Sequence, residues 1–170
     1  EVEITVGSVQ PNPYPDLPAD EALGDALFDV GVLMEQTDMA PPDVYYYGLM
    51  QPAETRDDYD GLTGTSQELD HRAGFAMGAG FGDELSESTL VHELGHLHFL
   101  KHAPCGSPSN LDPAFPHADG MAHTEGYDVR TQSFLGADEG SDLMSYCQPR
   151  WISTYHYEKL ASWVQVSQTW

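Results

Sequence analysis

Two histidines separated by three residues constrain the fold of this chain more than any other feature. His92 and His96 flank Glu93 in the order His-Glu-x-x-His. On an α-helix each residue turns by about 100°, so positions four apart point in nearly the same direction and both rings can bind one zinc ion. Glu93 then lies within reach of a water on that ion rather than of the ion itself. The pattern predicts a helix over residues 86–100, with Ser86 or Ser88 as its N-cap, carrying a zinc site and a general base.

A catalytic zinc ion needs a third protein ligand and an open fourth position. On a continuing helix His98 would point about 200° away from His96, so it is a poor candidate. His102 reaches the same ion only if the helix breaks and the chain turns back. His71, His117, His123 and His156 are left without a role. The alternative third ligand is a carboxylate, and the candidates are Glu125, Asp128 and Glu139.

The run from His92 to His102 resembles the HExxHxxGxxH signature of the metzincin zinc peptidases. It departs from that signature at Phe99, where metzincins have a glycine that permits a positive-φ break. A phenylalanine in that conformation costs about 1–2 kcal/mol, which is small beside the roughly 10 kcal/mol or more of a structural zinc site. The resemblance implies that His102 is the third ligand.

A second segment carries the same resemblance. Residues 141–146, Ser-Asp-Leu-Met-Ser-Tyr, are similar to the metzincin Met-turn, in the Met-x-Tyr form of astacins and serralysins. The resemblance implies that Met144 forms a hydrophobic base beneath the zinc and that Tyr146 binds the metal or stabilises the oxyanion. Together with short matches around residues 102–106, 126–128 and 144–153, it extends over about residues 88–157 and points to a secreted bacterial group.

Cys105 and Cys147 are the two cysteines of the chain, so they allow one intramolecular pairing. In an oxidising compartment we expect a disulfide between them. The alternative is a pair of zinc-ligating thiolates, but their separation lacks the paired CxxC form of structural zinc sites. Each cysteine lies three residues after a motif residue, His102 or Met144, so the disulfide would tie the third ligand to the floor of the site.

The remaining pattern predicts an α+β fold with an α/β-like N-terminal half. The resemblance adds a metzincin-like small twisted sheet, an active-site helix, an irregular C-terminal subdomain and a C-terminal helix. We expect one catalytic domain over residues 1–170, divided into subdomains of about 1–99 and 100–170. The predicted elements are strands at 1–9, 44–50 and 72–81, the last a possible edge strand, helices at 19–36 and 153–166, an acidic loop at 56–70 and irregular structure at 107–142.

Charge excludes several classes of protein. The chain has 170 residues, of which 28 are acidic and 6 are basic, for a net charge of −22. Phosphate backbones would be repelled, so nucleic acid is not an expected partner. No apolar run approaches the roughly 20 residues of a membrane span. Asp57, Asp58 and Asp60 suggest calcium ligation, but the full EF-hand pattern is missing. We interpret the acidic bias as adaptation to an external, saline medium.

These observations together predict a secreted zinc endopeptidase that acts as a monomer on protein or peptide substrates. A zinc-activated water would attack the peptide bond, with Glu93 as the general base. The glycine-rich strand at 72–81 would hold an extended substrate by strand addition. The sequence is interpreted as a mature or excised domain, with a pro-segment or an inhibitor as a further partner. The alternatives are a zinc hydrolase with a carboxylate third ligand and a catalytically silent binding module that contains zinc.

Overall fold

A computed structural model describes residues 3–9, 11, 13–14, 17–36, 44–70 and 73–167. The fold is α+β, as predicted from the sequence. The helices are α1 (Ala19–Gln36), α2 (Glu84–Leu97) and α3 (Thr154–Ser167). The strands are β1 (Tyr45–Met50), β2 (Gly64–Asp70), β3 (Ala73–Ala79), β4 (Gly126–Asp128), β5 (Ser133–Leu135), β6 (Ser141–Asp142) and β7 (Arg150–Trp151), and a single 3₁₀ turn covers Arg56–Asp58.

The main sheet has the strand order β1-β3-β2. Strand β3 runs parallel to β1, with Gly48 opposite Met77, and antiparallel to β2, with Gly64 opposite Gly78. The prediction of an edge strand at 72–81 is therefore wrong, because β3 is the central strand and both of its edges are paired. A substrate strand therefore cannot pair with β3. The edges of this sheet belong to β1 and β2, and residues 64–66 of β2 line the cleft described below.

Helices α1 and α2 pack on opposite faces of this sheet. Met77 belongs to the buried cluster that includes Leu23 of α1. A Cβ added to Gly74 would lie 2.7 Å from Leu97 Cδ2 of α2. Because successive side chains of a strand point to opposite faces, β3 presents its large residues to α1 and its small residues to α2. Gly74 thus allows the close approach of the helix that carries His92.

The C-terminal half contains little regular structure. Between α2 and α3, where every residue is described, β4 pairs with β5 and β6 pairs with β7 in two-stranded ribbons. A second buried cluster holds this half together; it consists of Leu100, Leu143 and Met144, with Ile152 and Leu160 packed against them. This agrees with the prediction of an irregular C-terminal part closed by a helix.

Three local predictions are corrected. Residues 3–9 form no strand, and Ile4, Val6 and Val9 are all exposed, while Glu1 and Val2 lie outside the described residues. The acidic segment at 56–70 is only partly a loop, since β2 occupies Gly64–Asp70. Helix α2 begins at Glu84 with Asp83 as its N-cap, because the Asp83 carboxylate accepts the backbone N–H of Ser86 at 2.9 Å. The bounds predicted for α1 agree with the structure.

Candidate metal centre

The end of α2 presents His92, Glu93 and His96 on the side of the helix that faces a cleft. His92 and His96 lie one helical turn apart, and their ring centroids are 4.8 Å from each other, as the four-residue spacing predicts. His92 and Glu93 are buried and His96 is half-buried. The helix thus brings two imidazoles and one carboxylate into a single partly desolvated site.

The chain reverses direction at Phe99, directly after α2. Phe99 has a φ of 60°, which is the left-handed conformation that normally favours glycine. Its backbone N–H donates to the carbonyl of His96 at 2.8 Å, and the N–H of Leu100 donates to the carbonyl of Gly95 at 3.1 Å. These two bonds define a Schellman C-cap. The turn carries His102 back to the site, where its ring centroid lies 4.6 Å from that of His96.

The three imidazoles are oriented as metal ligands would be. Each Nδ1 lies close to a backbone carbonyl: His92 to Leu143 at 2.9 Å, His96 to Leu100 at 2.9 Å and His102 to Ser109 at 2.5 Å. A carbonyl only accepts, so each Nδ1 carries the hydrogen when the ring is neutral, and each Nε2 keeps a free lone pair. The ligand atoms of the three rings all lie within 4.8 Å of one another.

The pairing of two Nε2 atoms supports the same interpretation. His96 Nε2 and His102 Nε2 are 3.0 Å apart. Two lone pairs directed at each other repel, whereas a shared cation removes the repulsion. Burial also lowers the pKa of His92 to about 3 and that of His96 to about 4, and it lowers the pKa of His102. The rings are therefore neutral at pH 7, which is the form that binds a metal ion.

Other proposed ligands are not brought to this site. His98 turns away, and its Nδ1 lies 2.7 Å from the carbonyl of Leu94 while its ring contacts Tyr45. In the described part of the chain, His92, His96 and His102 form the only group of three or more metal-capable side chains. This group does not include the carboxylates proposed as the third zinc ligand, which are Glu125, Asp128 and Glu139. It also does not include the carboxylates considered for calcium, which are Asp57, Asp58 and Asp60.

Met144 lies directly against α2, in the segment predicted to be a Met-turn. Its side chain is fully buried, and a Cβ on Gly95 would clash with its Sδ atom. The backbone N–H of Ala103 donates to the Met144 carbonyl at 3.1 Å. The segment that follows His102 therefore runs beside the segment that contains Met144, and Gly95 provides the space for the methionine sulphur.

A disulfide joins the same two segments. Cys105 and Cys147 are bonded, with their Cα atoms 5.7 Å apart, so neither sulphur is a free thiolate. The backbone N–H of Tyr146 donates to the carbonyl of Cys105 at 3.0 Å. The Tyr146 ring lies 5.0 Å from that of His102 and 5.7 Å from that of His92, and 46% of the residue is exposed. Burial raises the pKa of Tyr146, as does the charge of Glu93.

The environment of Glu93 favours a proton on its carboxyl group. Burial raises the pKa of Glu93 to about 7, against smaller opposing effects of a hydrogen bond with Ser66 and of the charge of Arg150. A Cβ on Gly64 would lie 2.7 Å from Glu93 Oε1, so a glycine at this position lets β2 approach the carboxylate. A carboxyl group with a pKa near neutrality can both take up and release a proton at pH 7.

A cleft of ≈ 600 Å³ is lined by the three histidines, Glu93 and Tyr146. Its walls are the segment 61–66 at the edge of β2, the face of α2, and residues from the C-terminal half. The side chains that carry chemistry are His92, Glu93, His96, His102, Tyr146 and Arg150, with Thr89 and Leu85 beside them. Arg150 was not predicted as a site residue, and its position in the sequence after Pro149 contains no signal for it.

A buried contact between His156 and Asp142 supports the segment that contains Met144. His156 Nδ1 lies 2.7 Å from Asp142 Oδ1, and both side chains are fully buried. Asp142 also accepts the backbone N–H groups of Met144 at 2.8 Å and Ser153 at 3.1 Å. His156 has no role predicted from the sequence, and its separation of 14 residues from Asp142 corresponds to no local pattern. The contact ties α3 to the segment that contains Met144.

This fold and site define a class of protein: an α+β domain with a cleft in which three neutral histidines could hold a metal ion beside a carboxyl group. Comparison with known families agrees, since the family model of peptidase M66 matches residues 52–155. The chain belongs to the peptidase M66 family, which is a family of metallopeptidases. Searches of curated proteins and of solved structures gave no match. No helix in the described ranges is long and apolar enough to cross a membrane.

Proposed function

We propose that this chain is a secreted zinc-dependent endopeptidase of the metzincin type, with His92, His96 and His102 as the zinc ligands. The observation that carries the proposal is the convergence of three Nε2 lone pairs, each ring being held through its Nδ1 by a backbone carbonyl. Three imidazoles and one open position are the donor set of catalytic zinc. A zinc ion held there supplies a Lewis acid that polarises the scissile carbonyl and acidifies a water.

Glu93 is proposed as the general base and acid. With a pKa raised to about 7, its carboxylate accepts a proton from the attacking water and then delivers that proton to the leaving amine. Tyr146 is proposed to stabilise the negative charge that develops on the carbonyl oxygen. The contacts of its ring with those of His92 and His102, and its partial exposure to the cleft, support this role.

The substrate is proposed to be an extended polypeptide that pairs with β2. Strand β2 lies at the end of the order β1-β3-β2, and residues 64–66 line the cleft. Main-chain hydrogen bonds along such an edge bind a peptide with little dependence on its side chains. The disulfide supports secretion, because such bonds persist in oxidising compartments. We further propose that the chain is one catalytic domain that acts as a monomer.

The mechanism is tested with Glu93→Ala. The variant is expected to bind zinc as the wild-type protein does and to cleave unfolded casein at least about 10²-fold more slowly, in line with the typical contribution of a general base. Glu87→Ala is the matched control, because Glu87 lies in the first turn of the same helix and its side chain is exposed, with Arg130 as its ion-pair partner. Casein cleavage by Glu93→Ala at the wild-type rate would disprove the proposed mechanism.

His102→Ala separates this proposal from the two alternatives. We expect the variant to lose zinc affinity by about 10²-fold or more, because one of three ligands is removed. An unchanged zinc affinity would instead indicate a carboxylate third ligand. If zinc-loaded wild-type protein shows no hydrolysis that a chelator abolishes, the domain is a binding module rather than an enzyme.

A further inference from the structure

Arg150 forms no direct ion pair with a carboxylate in the described structure, although the chain is strongly acidic and the charge of Glu93 acts on it. The sequence has 6 basic residues against 28 acidic ones. Arg56, Arg130 and Lys159 each form an ion pair with a carboxylate. Across the described ranges, Arg150 forms none. With so many carboxylates in the chain, an arginine that lines a cleft and forms no direct ion pair indicates that its position serves an anion from outside the chain.

The contacts of Arg150 leave one atom of its guanidinium without a hydrogen-bond partner. Nη1 donates to the carbonyl of Ser88 at 3.2 Å, which holds the side chain against α2. Nε is buried and has no hydrogen-bond partner in the described structure, and the same is true of Thr89 Oγ1. Both residues line the cleft. Buried polar atoms are nearly always hydrogen-bonded, so two unsatisfied ones in a single cleft indicate a missing polar ligand.

The position of the two residues relative to Glu93 indicates which part of a substrate they would meet. Thr89 precedes Glu93 by four residues in α2, so the two side chains lie on the same face of the helix, one turn apart. In the proposed mechanism Glu93 gives its proton to the leaving amine. That amine belongs to the residue that immediately follows the cleaved bond, so the side chain of this residue is the one closest to Thr89 and Arg150.

We propose that Arg150 and Thr89 form a subsite for a carboxylate side chain on the substrate residue that immediately follows the cleaved bond. A guanidinium binds a carboxylate through parallel N–H donors, and the Thr89 hydroxyl adds one further donor. The inference rests on the proposed endopeptidase function and specifies its substrate class: peptides with glutamate or aspartate at this position. Elsewhere the acidic chain repels such peptides, so Arg150 provides the local exception that selects the cleavage site.

The test uses two quenched fluorescent peptides that are identical except for glutamate or glutamine after the cleaved bond, at about 0.15 M salt. The wild-type protein is expected to cleave the glutamate peptide with a kcat/KM about 10- to 100-fold higher, the range for a hydrogen-bonded charge. Arg150→Gln should abolish this preference, and Arg150→Lys should retain part of it. Arg130→Gln is the matched control, because it removes one positive charge outside the cleft and should leave the preference intact.

Binding provides a readout that does not depend on turnover. In the zinc-loaded Glu93→Ala background the glutamate peptide should bind about tenfold more tightly than the glutamine peptide, and Arg150→Gln should remove the difference. Equal kcat/KM values for the two peptides with the wild-type protein would overturn the subsite while leaving the peptidase function intact. An equal loss on both peptides in Arg150→Gln would also overturn it. Absence of any cleavage, casein included, would overturn the proposed function and this inference with it.

Discussion

The left-handed conformation of Phe99 predicts which of two variants at this position is the more stable. Phe99 has a φ of 60°, and its ring lies 5.5 Å from that of Trp163. Phe99→Gly and Phe99→Ala both remove the ring, so the difference between the two variants isolates the backbone. An L-residue in the left-handed conformation costs about 1–2 kcal/mol, whereas glycine loses about 0.5–1 kcal/mol more conformational free energy on folding. The glycine variant should therefore be the more stable by about 0.5–1 kcal/mol.

Urea denaturation of the metal-free protein, in the presence of a chelator, measures this difference without the free energy of metal binding. With a slope of about 2 kcal/mol/M, the midpoint of Phe99→Gly should exceed that of Phe99→Ala by about 0.3–0.5 M. The same pair of substitutions at Val91 is the control, because Val91 is an exposed residue inside α2. There the alanine variant should be the more stable, by about 1 kcal/mol.

An alanine variant at position 99 that equals or exceeds the glycine variant in stability would refute the reasoning. It would mean that the reversal of the chain does not depend on a left-handed residue at this position. The order of the Val91 variants shows whether the assay resolves a difference of this size. The order of stability of the glycine and alanine variants must be reversed between positions 99 and 91, because φ is positive at one position and negative at the other.

Two further predictions concern the pH dependence of stability and the buried contact between His156 and Asp142. In the metal-free protein, His92 and His96 titrate near 6.5 when unfolded but at about 3 and 4 when folded, while folded Glu93 keeps one proton up to about pH 7. Burial also lowers the pKa of His102. Between about pH 6 and 5 the unfolded state thus binds protons on the three histidines, whereas the folded state holds one on Glu93, so the free energy of unfolding should fall by at least about 1.4 kcal/mol per pH unit as the pH decreases. Glu93→Gln should steepen this slope in chelator-treated urea titrations, because it removes the proton that the folded state holds, and a pH-independent stability would contradict the assignment. His156→Ala removes the partner of a fully buried Asp142, so it should cost about 3 kcal/mol and lower Tm by about 6–12 °C; an unchanged Tm in a calorimetric scan would show that the pair does not hold the fold.

Local patterns account for the parts of this protein that were predicted from its residues. The apolar spacing of α1 and the His-Glu-x-x-His spacing of α2 each describe one face of a helix, and a helix is closed by hydrogen bonds within the segment itself. A single pair of cysteines likewise leaves only one disulfide to predict, and Cys105 and Cys147 form it. The return of His102 was expected from a resemblance, because Phe99 breaks the pattern that a local reading would use.

The errors fall where the outcome depends on neighbouring strands. Ile4 and Val6 alternate with polar residues as a half-buried strand would, yet residues 3–9 pair with no strand of the described structure and remain exposed. Strand β2 was interpreted as a loop because its residues are polar and glycine-containing, although pairing with β3 supplies its hydrogen bonds. The backbone hydrogen bonds of a sheet form between different segments, so a strand depends on a partner that its own residues do not specify.

By itself, then, the sequence determined the helix that carries His92 and His96, the acidity of the chain and the covalent link between its two cysteines. Only the tertiary structure decided that β3 is central, that Asp142 meets His156 in the core, and that Arg150 lines the cleft with Thr89 and Glu93. The physical reason is the distance in sequence between the residues that interact. Helix formation and cysteine pairing follow from residues close in sequence or from a single possible partner, whereas the charge environment of the cleft arises from segments about 60 residues apart that meet only after folding.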